Sequence, residues 1–208
     1  MRILIADDHA IVRRGLKQIL EEEFPSGVIE EVSDAEEMIA KVIKEQWDLV
    51  ISDLAMPGRS GLEALTLIHQ EFPKLPVLIL SIHPEEQYAL RILKAGAAGY
   101  LNKEAAPEEL VIAVRRILLG RKYITAAIAE KMATQLERGT NNDPHESLSD
   151  REFEVFKLIA SGKTVSEIAD SLSLSVTTVS TYRARIMTKM GVKTNADLTV
   201  YCMHHHLI

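Results

Sequence analysis

Five residues spread through the first half of the chain, Asp7, Asp8, Asp53, Ser81 and Lys103, could together handle a phosphoryl group. Each lies at or within two residues of the end of a short apolar run. Three carboxylates brought into one crevice repel one another and are tolerable only beside a cation. An all-oxygen ligand set suits a hard ion that keeps several waters, so Mg²⁺ is the expected cofactor. A lysine ammonium can neutralise an anion beside that metal, and a hydroxyl can donate to one of its oxygens. Such a set moves a phosphoryl group onto a carboxylate by positioning and charge stabilisation. Taken alone, Asp53 reads as a turn former or helix cap; the company it keeps is what favours chemistry.

The elements that would position these residues alternate strictly. Apolar runs at 2–6, 49–51, 77–80 and 99–101, with a more polar one at 28–32, read as strands. Helical patterns follow each of them, at 11–24, 35–45, 62–72, 85–95 and 107–119. Parallel neighbours need a crossover, so the pattern predicts an α/β fold, a five-stranded doubly wound parallel sheet covered by helices. Right-handed crossovers gather the carboxyl ends of all strands on one edge, where such sheets place their ligands.

From Gly120 onward the chain changes character. A helical pattern through Ile128, Met132 and Leu136 is followed by Arg138 to His145, which has no apolar residue and reads as a linker. The last sixty residues read as four helices, the first three capped by Ser149, Thr164 and Ser175 and the fourth by Thr194 or Asn195. The expected division is therefore 1–120, a linker with a helical segment at 121–147, and a small all-α domain at 148–208. Its second and third helices, joined by Ser173-Leu174, form a helix-turn-helix candidate. On a helical wheel the third puts Val176, Val179, Ile186, Met187 and Met190 inward, and Thr177, Thr181, Ala184, Arg185 and Thr188 outward. Small hydroxyls and methyls can approach base edges while Arg and Lys reach phosphates. The competing reading is a solvated face on a helical bundle.

These residues carry a resemblance. Asp7-Asp8, Asp53 with Met56-Pro57-Gly58, Ser81 and Lys103 match the receiver domain of two-component response regulators in order and in place. LSDREFEVFKLIASG and VSEIADSLSLSVTTVSTYRARIMTKMGV are similar to the LuxR-type DNA-binding domain, so the chain resembles the NarL/FixJ class. The resemblance implies that Asp53 accepts a phosphoryl group from a sensor histidine kinase. It implies that Asp7, Asp8, Asp53 and the backbone carbonyl of Ala55 hold Mg²⁺, that Ser81 and Lys103 grip the phosphoryl oxygens, and that Tyr100 is an aromatic switch. In the second domain it implies that Ser180, Thr181 and Ala184 face bases, with Arg183, Arg185 and Lys189 near the DNA backbone. The wheel sets Ser180 nearer the buried margin than the family does. The implied partners are the kinase, double-stranded promoter DNA and a second copy on activation, through the last helix; RNA polymerase is a further candidate. Glu104 stands where many receivers have the proline of a cis peptide. Ser180, Tyr182 and Val165-Ser166 replace residues that are commonly cationic or polar, so weaker nonspecific binding and a greater need for dimerisation are expected.

Composition narrows the alternatives. The 208 residues carry a net charge of −6, but the part after residue 145 has seven cations and seven acids and is neutral. No acid lies between Asp170 and Asp197, which leaves Arg183, Arg185, Lys189 and Lys193 as a cationic island in an acidic chain. A single cysteine, Cys202, excludes an internal disulfide and a Cys-rich zinc site. No apolar run approaches the roughly 20 residues of a membrane span, and no secretory pattern opens the chain, so a cytoplasmic protein is expected. An enzyme is not expected: a Mg²⁺-dependent phosphatase built on Asp53 would want a second acid two residues on, where Ala55 stands. His204-His205-His206 invites a metal reading, but adjacent helical residues point in different directions, which favours chance or helix C-terminal charge complementarity.

Overall fold

The computed structural model describes residues 1–105, 107–138, 143–205 and 207–208. Its contacts fall into two units, Met1–Glu137 and Arg138–Ile208. In the first, β1 (Arg2–Ala6), α1 (Ala10–Glu23), β2 (Val28–Val32), α2 (Ala35–Lys44), β3 (Leu49–Asp53), α3 (Gly61–Glu71), β4 (Val77–Ser81), α4 (Glu85–Lys94), β5 (Gly99–Asn102) and α5 (Pro107–Leu118) alternate as expected. The strands form one parallel sheet in the order β2-β1-β3-β4-β5. The order reverses between β1 and β3, and a crevice opens at such a reversal beyond the strand ends.

The burial of each strand explains its composition. β3 and β4 lie inside the sheet and are buried at every position, which is why they read as unbroken apolar runs. β2 is an edge strand in which only Ile29 and Val32 are buried, which accounts for its polar content. Ile3, Ile5, Ile51, Leu78 and Leu80 point to one face and pack with Leu20 of α1 and Leu110, Val114 and Ile117 of α5. α2 and α3 contact each other, and α2 also contacts β1. In α1 the apolar Ile11 is 87% exposed, in the first turn, beyond the reach of the sheet.

The stretch after α5 is tied down rather than loose. Tyr123 makes an isolated parallel bridge to Gly99, its N–H donating to the Ala98 carbonyl at 2.8 Å, and the Thr125 hydroxyl donates to Glu85 at 3.0 Å. α6 (Ala126–Arg138) follows, with Ile128 buried. Residues 139–142 of the segment read as linker lie outside the described residues. A short 3₁₀ turn, Pro144–Ser147, then precedes α7 (Asp150–Ala160), α8 (Val165–Ser171), α9 (Val176–Met190) and α10 (Asn195–His204). Capping boxes open α7 at Ser149/Glu152, α8 at Thr164/Glu167 and α10 at Thr194/Asp197. Phe153, Phe156, Ile168, Val179, Ile186, Leu198 and Cys202 form the core of this unit, and burial pushes the Cys202 thiol up to about 12. No helix among the described residues is long and apolar enough to cross a membrane.

Gly61 shows how tightly α3 is set against the end of β3. Its N–H donates to the Leu54 carbonyl at 2.9 Å, and a Cβ at this position would lie 1.9 Å from the Asp53 carbonyl oxygen. That obstacle is backbone and cannot swing aside. Gly61→Ala is expected to destabilise the chain by about 3 kcal/mol, the upper part of the overpacking range. Gly15→Ala, in open space within α1, is expected to stabilise it by about 1 kcal/mol through helix propensity. Urea denaturation of both variants checks the opposite signs.

Candidate functional sites at the sheet edge and on helix α9

Register brings the acidic residues together. Ala6 of β1 is level with Ser52 of β3, so the next residues, Asp7 and Asp53, emerge side by side. Ser81 of β4 is level with Asn102 of β5, which places Lys103 one residue beyond, its N–H donating to the Ser81 carbonyl at 2.8 Å. Lys103 Nζ reaches back across the crevice to Asp7 Oδ2 at 2.6 Å and Asp53 Oδ2 at 2.7 Å. Asp7 and Asp53 are buried, at 0% and 3% exposure. Asp8 lies at the rim, half-buried. Ala55 sits in the loop after β3 and donates its N–H to Asp53 Oδ1 at 3.2 Å.

The charges in this crevice are not balanced. Burial raises the pKa of Asp53; Lys103 and the Ala55 N–H pull it down, and Asp7 pushes it up again. Burial also works against the Lys103 ammonium, but hydrogen bonds to Asp53 and Asp7 prevail and its pKa is raised. The two directions agree physically, because one cation is shared between two acids: the lysine has two partners and each acid has part of one. Asp7 Oδ2 meets the Lys103 ammonium, and Asp8 Oδ1 lies 2.8 Å from His9 Nδ1. Three carboxylates beside one lysine leave negative charge that a cation would neutralise. Oxygens of Asp7, Asp8 and Asp53 and a ring nitrogen of His9 lie within 4.8 Å of one another, so the residues present fit a divalent ion. Sequence reasoning passed over His9; its place two residues after Asp7, with its own N–H donating to Asp7 Oδ1 at 2.8 Å, was the available signal.

Ser81 and Tyr100 meet through a third residue that the sequence did not single out. Ser81 Oγ accepts from the His83 N–H at 3.0 Å, and the Tyr100 hydroxyl donates to the His83 carbonyl at 2.6 Å. Tyr100 is fully buried, and the His83 ring stacks on Tyr88 at 4.7 Å. Among the described residues no peptide bond is cis.

On the second unit, α8 and α9 are joined by a tight turn in which Ser173 has φ 53°, and Ser175 caps α9 by accepting from the Thr178 N–H. Ser180, Thr181, Ala184 and Arg185 are exposed along α9. Two wheel positions differ from expectation. Val176 is 51% exposed because it is the first residue of the helix, and Ser180 lies on the open face rather than at its buried margin. Arg183 Nε donates to Asn195 Oδ1 at 2.9 Å, which ties α9 to the start of α10. Lys189 is engaged within the unit: its ammonium donates to Glu152 Oε2 at 2.6 Å and to the Ser147 carbonyl at 3.2 Å.

Burial would raise the Glu152 pKa, but Lys189 and the Ser149 cap hold it below the usual carboxylate value of 4.5. A depressed carboxylate adds stability that is present above its unfolded pKa and is lost as pH falls through the folded one. Lys189→Met is therefore expected to destabilise the chain at pH 7 by about 1–2 kcal/mol, less than a fully buried pair because part of Lys189 remains in solvent. The difference from wild type should shrink as pH falls below 4.5 and Glu152 takes up its proton. Chemical denaturation at pH 7 and pH 4 measures it.

Known proteins share both halves. Residues 3–115 match the family described as response regulator receiver domain, and residues 146–202 the family described as bacterial regulatory proteins, luxR family. Response regulator UvrY of Escherichia coli (strain K12) is 36% identical over 208 residues, covering 100% of this chain and 95% of that protein. Oxygen regulatory protein NreC of Staphylococcus epidermidis is 36% identical over 216 residues, covering 100% and 99%. The structure of RcsB from Salmonella enterica serovar Typhimurium bound to promoter rprA with the phosphomimetic BeF3⁻ superposes with a TM-score of 0.64. It is 30% identical and covers 97% of this chain and 98% of that one. A LuxR-family response regulator from Aurantimonas sp. SI85-9A1 gives 0.59 at 37% identity, covering 66% of this chain and 96% of its own. The chain thus belongs to the two-component response regulators of the NarL/FixJ class, with a receiver domain followed by a LuxR-type helix-turn-helix DNA-binding domain.

Proposed function

We propose that Asp53 is the phosphoacceptor of this regulator and that its phosphorylation promotes dimerisation and promoter binding. The observation that carries the proposal is the meeting of Asp7, Asp53 and Lys103, from three different strand ends, in one buried crevice. In the transfer step an Asp53 carboxylate oxygen forms the P–O bond while the P–N bond of the kinase phosphohistidine breaks, and the departing imidazole takes a proton. Asp7, Asp8, Asp53 and the Ala55 carbonyl would hold Mg²⁺, which supplies positive charge against the phosphoryl oxygens. Lys103 releases Asp53 as that oxygen becomes part of an acyl phosphate and turns its ammonium to the phosphoryl group. The Ser81 hydroxyl accepts from the His83 N–H and keeps its own proton to donate to a phosphoryl oxygen. That new bond pulls on the His83 backbone and so on the hydroxyl of Tyr100. The switch proposed for Tyr100 therefore works through His83, since the ring is buried in this structure.

In the second domain, α9 is proposed to enter the major groove, with Ser180, Thr181 and Ala184 toward base edges and Arg183 and Arg185 toward phosphates. An RcsB bound to promoter DNA with a phosphomimetic supports joining the two events in this chain. α10 is the proposed contact between two copies on DNA, with a sensor histidine kinase and RNA polymerase as the remaining partners of this cytoplasmic regulator.

Incubation with labelled acetyl phosphate and Mg²⁺ should label wild type and leave Asp53→Asn unlabelled, while DNA affinity rises at least tenfold in wild type alone. Equal labelling of the two proteins, or an affinity indifferent to labelling, would falsify the proposal. Arg185→Ala should weaken binding to all sequences alike and reduce the slope of log K against log salt by about 0.9, the share of one phosphate contact. Fluorescence anisotropy at several salt concentrations reads that slope.

A further inference from the structure

A second group of metal-ligating side chains lies in the DNA-binding unit, away from the receiver crevice. Asp143 and His145 come from the segment leading into α7, and His205 from the C-terminal end of α10. One ligand atom from each lies within 4.8 Å of the other two. His205 Nδ1 is 3.7 Å from Asp143 Oδ2. Donors around a tetrahedral Zn²⁺ at about 2.0–2.1 Å stand about 3.3 Å apart, so the trio needs a contraction of no more than about 1.5 Å to close on an ion.

The surroundings support ligation. The Tyr201 hydroxyl lies 2.8 Å from His145 Nδ1, the kind of outer hydrogen bond that fixes a ligating imidazole and directs its Nε2 to a cation. The His205 ring stacks on Tyr201 at 4.2 Å and meets His145 edge-on at 5.7 Å, so both imidazoles are oriented by the same tyrosine. Phe153 forms an apolar wall 6.0 Å from His145. The His205 and Asp143 side chains are 34% and 50% exposed, which leaves a route in from solvent. Two imidazoles and one carboxylate are ligands for Zn²⁺ rather than for the oxygen-seeking Mg²⁺ or Ca²⁺.

We propose that Asp143, His145 and His205 form a Zn²⁺ site that fastens the segment before α7 to the end of α10, with water in the fourth position. The site takes one histidine of the C-terminal run and two ligands from more than fifty residues upstream. The objection that adjacent histidines diverge therefore does not apply to it. His206 lies outside the described residues. Bound Zn²⁺ would hold together the first and last elements of the DNA-binding unit.

The test is Zn²⁺ and Co²⁺ titration of chelator-treated full-length chain, with an Asp8→Asn, Asp53→Asn form to remove competition from the receiver crevice. That form should still take up one Zn²⁺ per chain and show the visible absorption of nitrogen-ligated tetrahedral Co²⁺. In the same background, His205→Gln and Asp143→Asn should each weaken Zn²⁺ binding at least 100-fold. Tyr201→Phe should weaken it 10–100-fold, as loss of an outer-shell partner does, and His204→Gln should leave it unchanged. Circular dichroism establishes that each variant is folded. Zn²⁺ affinity unaffected by both His205→Gln and Asp143→Asn, or lost with His204→Gln, overturns the proposal.

Discussion

One ammonium group, that of Lys103, sets the terms for the whole first unit. It lies between two buried carboxylates, and leaving either of them without a cation in so dry a place would cost several kcal/mol. The ends of β1, β3 and β5 must therefore stay level. A slip of one residue in any of these strands would turn Asp7, Asp53 or Lys103 to the opposite face. The same constraint leaves the crevice under-neutralised, because burial outweighs the share of positive charge that reaches Asp53. A site held in that condition responds strongly to a divalent cation or to conversion of one carboxylate into an acyl phosphate, and both are changes of charge.

Most of the frame was legible in the amino-acid sequence because its signals are local. An apolar run that stops at Asp7 or Ser81 marks the carboxyl end of a buried parallel strand, and Ser149 with Glu152 marks a helix start whichever fold contains it. The features that escaped depend on distance in space. Nothing near Lys189 in sequence points to Glu152, 37 positions earlier, so a cation that reads as a DNA-backbone contact is also a bolt between α9 and α7. Ile11 and Val176 fit an apolar stripe yet sit in first turns, where the helix has run past the surface it packs on. His83 could not be ranked as a relay from sequence, since its part is played by backbone N–H and C=O groups that any residue there would supply.

The two units handle charge in different ways. In the receiver the decisive charges are inside and shared, so function is tied to the folded arrangement of strand ends. In the DNA-binding unit the cations of α9 are toward the surface, and Arg183 and Lys189 are steadied by Asn195 and Glu152. A helix held from behind in this way loses less freedom on meeting the groove proposed for it, which partly offsets the modest number of cations on its face.

The two outer strands of the sheet face a different hazard, since an open edge of a largely apolar sheet is a template for pairing with another molecule. β2 is guarded by Glu30 and Glu31, the first held by Arg2 at 2.8 Å, so an incoming strand would meet acidic side chains. β5 has no such charges and relies on Tyr123, whose backbone bridges Gly99 and whose Cβ stands where any larger residue at 99 would project. The stretch that leads out of the receiver is thus also its cover against aggregation. A chain cut before residue 121 would carry every residue proposed to handle the phosphoryl group and still expose an unprotected strand, with poor solubility as the consequence.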